Sequence, residues 1–204
     1  MFINMTQQIL FIRGGDTFES YNDYISYLKN KKVNLEKLKV RKDWKHKLQI
    51  NLGEGFEVFL PEMPNRANAR YEEWKIWFEK IIPLLDENLI LAGSSLGGIF
   101  LAKYLSENKI NKKIKAVILV AAPFDGSTNE ESLVYFKLPD SLSKFAEQCE
   151  NVYLIQSRDD ELVLFEEVEK YKKELPNAKL VTFEDRGHFN QEDFPEIVDL
   201  IKKI

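Results

Sequence analysis

The stretch from Leu89 to Leu105, LILAGSSLGGIFLAKYL, constrains the fold more than any other part of this chain. An apolar run over Leu89 to Ala92 meets Gly93-Ser94-Ser95-Leu96-Gly97 and continues as an apolar segment without alternation. That is the pattern of a strand, a tight turn and a buried helix. Gly93 and Gly97 flank Ser95 at the GxSxG spacing. The glycines have a steric reason, because a sharp strand-to-helix turn leaves no room for side chains two residues either side of its apex. Ser95 then stands exposed at the turn, within reach of a histidine from another loop. The helix N-terminus behind it offers N–H groups and a positive dipole end to a developing oxyanion. The same glycines would also suit a purely structural turn; the strand before and the helix after favour a nucleophile. Ser94 sits one place off the spacing and is expected to pack beside the elbow.

The rest of the chain supplies a frame for such an elbow. Ile9 to Ile12 reads as a buried strand that stops at Arg13-Gly14-Gly15-Asp16. If that glycine turn lies beside the elbow, its N–H groups can supply a second oxyanion donor; otherwise it is an ordinary strand end. Tyr21, Tyr24, Ile25 and Leu28 at helical spacing predict an amphipathic helix over Glu19 to Lys29 that returns from the strand. Phe56 to Leu60 is a second short strand, and Gly53-Glu54-Gly55 before it is too weak for a nucleotide loop, whose glycines must follow a strand and open a helix. From Tyr71, the residues Trp74, Trp77, Phe78, Ile81 and Leu85 predict a helix packed on the core, stopped near Pro83. Further strands are expected over Ala116 to Ala122, Val152 to Ile155 and Lys179 to Phe183. A linker to about Pro139 and helices around Ser141 to Cys149, Leu164 to Glu174 and from Phe194-Pro195 separate or follow them. Strands alternating with helices, without a long hairpin signal, predict an α/β fold: a three-layer α/β/α sandwich with a mainly parallel sheet.

Composition bounds the possibilities. A chain of 204 residues with 44% hydrophobic residues is expected to form one compact domain over residues 1–204. A formal net charge of −4 gives no global attraction to nucleic acid or to an anionic membrane. The exception is local: Lys31 to Lys47 carries eight Lys or Arg against Glu36 and Asp43, a net +6. Val33, Leu35, Leu38, Val40 and Trp44 interleave the charges, which favours a solvated face lying on the core over a nucleic-acid site. His46, between Lys45 and Lys47, reads as a surface residue. The single cysteine, Cys149, cannot form an internal disulfide, and Glu147 and Glu150 beside it argue for a structural thiol. The N-terminal MFINMTQQILFIRGG lacks a basic start and a long apolar region, and no run reaches membrane-spanning length, so a cytoplasmic protein is expected.

In a parallel sheet, reacting groups gather where strands deliver their C-terminal ends. Ser95 follows one strand, Asp159 and Asp160 another, and His188 the last. The chain order is nucleophile, acid, base. His188, on a strand-end turn after Gly187, is the candidate general base; a surface turn histidine is the bland alternative. Asp160, with Val163 three places on, is preferred to Asp159 as the carboxylate that holds the imidazole, and Asp125 is a distant third. No second cluster at metal-ligand spacing supports a metal or glycosidase reading of these carboxylates.

Several motifs in one order carry a family resemblance: Gly14-Gly15, LPEMPN at Leu60 to Asn65, AGSSLGG at Ala92 to Gly98, ILVAAP at Ile118 to Pro123, SRDDELV at Ser157 to Val163 and DRGHF at Asp185 to Phe189. Over most of its length the chain resembles the small α/β-hydrolases related to the retinoblastoma-binding serine hydrolase and its bacterial counterparts. The resemblance implies a minimal α/β-hydrolase fold without a large lid. It implies a Ser95, Asp160, His188 triad, an oxyanion hole from the N–H groups of Leu96 and Gly15, and no cofactor. The chain departs from relatives at Ser94, where they often have histidine, and at Leu164, where they often have proline. The stretch from about Val33 to Gly53 looks like extra length. The expectation is a serine hydrolase that cleaves a small carboxylic ester, thioester or amide in an open cleft. A catalytically silent protein-binding module on the same fold is the alternative.

Overall fold

The computed structural model describes residues 6–39, 43–127 and 133–204. The N-terminal residues 1–5, residues 40–42 of the basic segment (Val40 among them) and residues 128–132 of the linker before Pro139 lie outside the described residues. In chain order the elements are β1 (Gln7–Ile12), α1 (Tyr21–Asn30), α2 (Leu35–Leu38), α3 (Trp44–Leu52), β2 (Phe56–Phe59), α4 (Tyr71–Ile81), β3 (Leu89–Ser94), α5 (Leu96–Glu107), β4 (Ile114–Val120), α6 (Ser143–Glu147), β5 (Val152–Ser157), α7 (Phe165–Glu174), β6 (Lys179–Phe183) and α8 (Pro195–Lys203). The strands form one sheet in the order β2-β1-β3-β4-β5-β6, and every neighbouring pair is parallel.

The sheet is buried on both faces, and each face follows from the period-two alternation of its strands. Leu10, Ile12, Leu89, Leu91, Val117 and Leu119 point to one side, where α4, α5, α6 and α7 cover them with Trp74, Phe78, Phe100, Phe145 and Tyr171. Ile9, Phe11, Ile90, Ala92, Ile118 and Val120 point to the other, under α3 and α8. The architecture is a three-layer α/β/α sandwich, with the edge strands β2 and β6 only half-buried. Among the described residues no helix is long and apolar enough to cross a membrane.

Two segments differ from their sequence expectation. Helix α1 has a capping box, with Ser20 and Asp23 bonded reciprocally, but it buries no residue and joins neither core. The helix that packs beside β1 is instead α3. Trp44, Leu48 and Leu52, spaced by four, are all buried there, with the Trp44 ring edge-on to Phe11. The latter part of the basic segment is therefore core structure. Its earlier part does not lie on the core: Val33, Leu35 and Leu38 are 75%, 78% and 66% exposed. Their interleaving with lysine balanced burial against solvation, and no facing layer was there to bury them. In α4, Trp74 and Phe78 are buried as expected, but Trp77 is 42% exposed because the buried stripe of a short helix is narrower than its run of aromatics.

Candidate active site

Strand β3 runs through the centre of the sheet and its last residue, Ser94, leads directly into α5 through Ser95. Ser95 adopts φ 52°, ψ −127°, a conformation disfavoured for any residue with a Cβ. The surroundings enforce it. Ser95 N–H donates to the Val120 carbonyl at 2.9 Å, and the Ser95 carbonyl accepts from Gly98 N–H at 2.8 Å. The chain can turn this tightly because of its glycines. A Cβ on Gly93 would come within 2.5 Å of the Gly97 carbonyl oxygen, and one on Gly97 would run into the Ile12 carbonyl. Leu96 N–H opens α5 and has no acceptor within the helix.

The glycine turn after β1 lies against this elbow. A Cβ on Gly14 would approach Ser95 Cβ to 2.9 Å, while Gly15 is pressed against the backbone of Arg66. Both glycines line the cleft that contains Ser95, a space of about 870 Å³ that His188 also borders. Ser94 is buried at the same wall.

His188 and Asp160 meet across the ends of β6 and β5. His188 Nδ1 is 2.9 Å from Asp160 Oδ2 and 3.1 Å from Oδ1, the geometry of a hydrogen bond donated by Nδ1 to the carboxylate. The Asp160 carboxylate is fully buried and firmly held. Leu162 N–H and Val163 N–H donate to Oδ1 at 2.9 and 3.0 Å, which explains the three-residue spacing, and Gln156 Nε2 donates to Oδ2 at 3.2 Å. Among the described residues no hydrogen bond joins Ser95 Oγ to His188; the two side chains share the cleft wall.

The other carboxylates have different partners. Asp159 Oδ1 accepts from Ser157 Oγ at 2.5 Å and from Gly187 N–H at 2.8 Å, bonds that hold its carboxyl below the usual range. It therefore ties the β5 loop to the β6 loop one residue before His188. Asp125 pairs with Lys170 at 2.5 Å; burial pushes its carboxyl up, but Lys170 and Ser127 N–H prevail and bring it to about 2. It is bonded away from His188. Burial pushes the Cys149 thiol up to about 12, as suits a packed, unreactive side chain.

Sequence reasoning missed the groups that hold the histidine loop from behind. Phe189 sits at φ 52°, and its carbonyl accepts from both Trp44 Nε1 at 2.8 Å and Lys45 Nζ at 3.2 Å. The signal for Trp44 was its four-residue spacing to Leu48 inside the basic segment; Lys45 had none beyond its neighbour. His46 is half-exposed, between Asp43 Oδ1 at 2.8 Å and Arg13 Nη1 at 3.1 Å. Arg13 and Arg66 also line the cleft.

Comparisons with known proteins point to one family. A family model described as serine hydrolase matches residues 39–201. Serine hydrolase RBBP9 of Rattus norvegicus is 30% identical over 152 residues, 74% of this chain and 78% of that protein. Putative hydrolase YdeN of Bacillus subtilis (strain 168) is 26% identical over 152 residues, 70% of this chain and 75% of that protein. The crystal structure of the ydeN gene product superposes with a TM-score of 0.77 at 20% identity, covering 97% of this chain and 98% of that one, which speaks to the fold alone. With a family match over most of its length and a relative at this identity, the chain belongs to the serine hydrolase family.

Proposed function

We propose that Ser95, His188 and Asp160 form a catalytic triad in a single hydrolase domain spanning residues 1–204, and that it cleaves small carboxylic esters, thioesters or amides through an acyl-serine intermediate. One observation carries this reading. A serine held at φ 52° on a strand-to-helix elbow shares a cleft with an imidazole whose other nitrogen is bonded to a buried carboxylate. Strain of this kind persists only where surrounding structure imposes it, and it concentrates at reacting residues.

The chemistry follows from the geometry. On substrate binding, Ser95 Oγ comes into hydrogen-bond contact with His188 Nε2, a contact that free enzymes often leave long. Nε2 takes the hydroxyl proton as Oγ attacks the carbonyl carbon, and the ionised Asp160 stabilises the imidazolium. The carbonyl oxygen becomes an oxyanion held by the N–H groups of Leu96 and Gly15. His188 then gives its proton to the departing alcohol, thiol or amine, which leaves acyl-Ser95. Water attacks this ester by the same path in reverse and releases the acid. No metal or cofactor enters the scheme, and no nucleic acid or membrane partner is required. The lone cysteine and acidic composition fit a cytoplasmic enzyme.

The decisive experiment is labelling of the purified protein with a fluorophosphonate probe. Wild type is expected to label, with the rate lowered at least about 1,000-fold in Ser95→Ala and His188→Ala. A folded wild-type protein that does not label would overturn the triad and favour the binding module.

A further inference from the structure

The cleft beside Ser95 contains three cations that hydrolysis at an elbow does not use: Arg13, Lys45 and Arg66. Each is tied to a part of the candidate machinery. Arg13 directly precedes the glycine turn, Arg66 Nε donates to the Gly14 carbonyl at 2.8 Å, and Lys45 Nζ donates to the carbonyl of Phe189, next to His188. The wall they form is partly dry, with Lys45 only 8% exposed and the Arg13 side chain 12%. Burial lowers the proton affinity of all three groups, and Arg13 and Arg66 each lower that of Lys45 further, so the three charges act in one field.

Part of their counter-charge is committed elsewhere or diluted by solvent. Asp43 lies 3.6 Å from Lys45 Nζ, but the same carboxylate caps α3 and holds the His46 ring. Glu62 is shared by Arg13 and Arg66, and its side chain is 73% exposed. Asp16 and Glu19, before α1, and Asp23, in its first turn, also line the cleft; Asp16 acts on Arg66, and the capping box with Ser20 engages Asp23. Donor capacity remains on the cationic wall. Arg13 Nε is buried without a hydrogen-bond partner among the described residues, and Lys45 Nζ has the Phe189 carbonyl at 3.2 Å and the Asp43 carboxylate at 3.6 Å for its three N–H bonds. A buried, crowded set of donors of this kind is costly unless an anion completes it.

We propose that Arg13, Lys45 and Arg66 bind a free carboxylate on the substrate, so that the enzyme acts on acyl compounds carrying one carboxylate in addition to the scissile bond. This rests on the reading of Ser95 as the nucleophile. A carboxylate fits better than a phosphate dianion because Asp16, Glu19, Asp23 and Asp43 share the cleft with the three cations and oppose a second negative charge. Arginine in this position offers a planar fork matched to a carboxylate.

The test compares matched ester pairs, each corrected for its hydroxide-catalysed rate. One pair places the charge on the acyl side: the mono-4-nitrophenyl ester of adipic acid against the same ester with its free carboxyl methylated. The other places it on the leaving group: the butyrate ester of 4-hydroxybenzoate against that of methyl 4-hydroxybenzoate. Wild type is expected to prefer the free acid at least tenfold in kcat/KM in one pair, about 1.4 kcal/mol. That ratio is expected to fall towards one in Lys45→Met and Arg66→Met. Ratios near one in both pairs overturn the carboxylate site while leaving the hydrolase intact; failure to cleave any ester, with no fluorophosphonate labelling, overturns both. A wild-type preference that persists in both variants also overturns the assignment. If the variants do not fold, protection of the wild type from fluorophosphonate labelling decides. Monomethyl adipate should protect at a concentration at least tenfold below dimethyl adipate, and equal protection refutes the site.

Discussion

At the scale of single residues, the two neighbouring aspartates have separate tasks. Asp160 is buried against the imidazole, whereas Asp159 is bonded to Ser157 and Gly187 and fastens the loop that carries it. Asp160→Asn is therefore expected to lower kcat by about 10,000-fold, because an amide can pair with the wrong imidazole tautomer. Asp159→Asn keeps an oxygen for Gly187 N–H and is expected to cost about tenfold or less through looser positioning. Steady-state kinetics of both variants separate these roles, and equal losses would reverse the assignment. Val163, the sequence cue for preferring Asp160, donates its N–H to that carboxylate. The part played by Gln156 had no such cue. Its side chain is fully buried at the end of β5, and one glutamine in a strand gives no sign of which neighbour it will meet.

At the scale of elements, the continuously apolar strands and the glycine elbow could be read directly, because a parallel sheet covered on both faces leaves that signature in β3, β4 and β5. The helices around β1 could not. Tyr21, Tyr24, Ile25 and Leu28 have a sound helical period, yet α1 is left without a layer to pack on, while α3 fills that place from within a stretch dominated by lysine. Local periodicity specifies a helix; which helix reaches the sheet depends on the whole assembly. Another device invisible in the sequence is Glu167 of α7, only 1% exposed, which accepts the N–H groups of Phe124, Asp125 and Gly126 at 2.7, 3.0 and 3.1 Å. Burial pushes its carboxyl up, but Lys170 and these three donors prevail and hold it below the usual glutamate range. Its stabilising effect is present above that range and fades as pH falls through the lowered value. Glu167→Ala leaves the loop after β4 without its acceptor and is expected to cost about 3 kcal/mol in urea denaturation at pH 7. A loss below about 0.5 kcal/mol would show that the loop finds other acceptors.

At the scale of the whole molecule, the packed part is the sheet with its two helical layers, and α1 stands outside both cores. Limited trypsin digestion is expected to cut first at Lys29, Lys31 or Lys32, leaving the six-stranded body protected, because a segment that buries nothing opens at little cost. Mass spectrometry of the first fragments checks this, and early cleavage within α3 or α5 would contradict it. The strand order has a further consequence for how the protein comes into being. The elbow strand β3 lies between β1 and β4, so both of its sheet partners have been synthesised once Val120 has been made. His188 belongs to a loop beyond β6, the last strand added at the far edge. Under the proposed triad, a nascent chain therefore has the strands that shape the elbow of Ser95 well before it has His188.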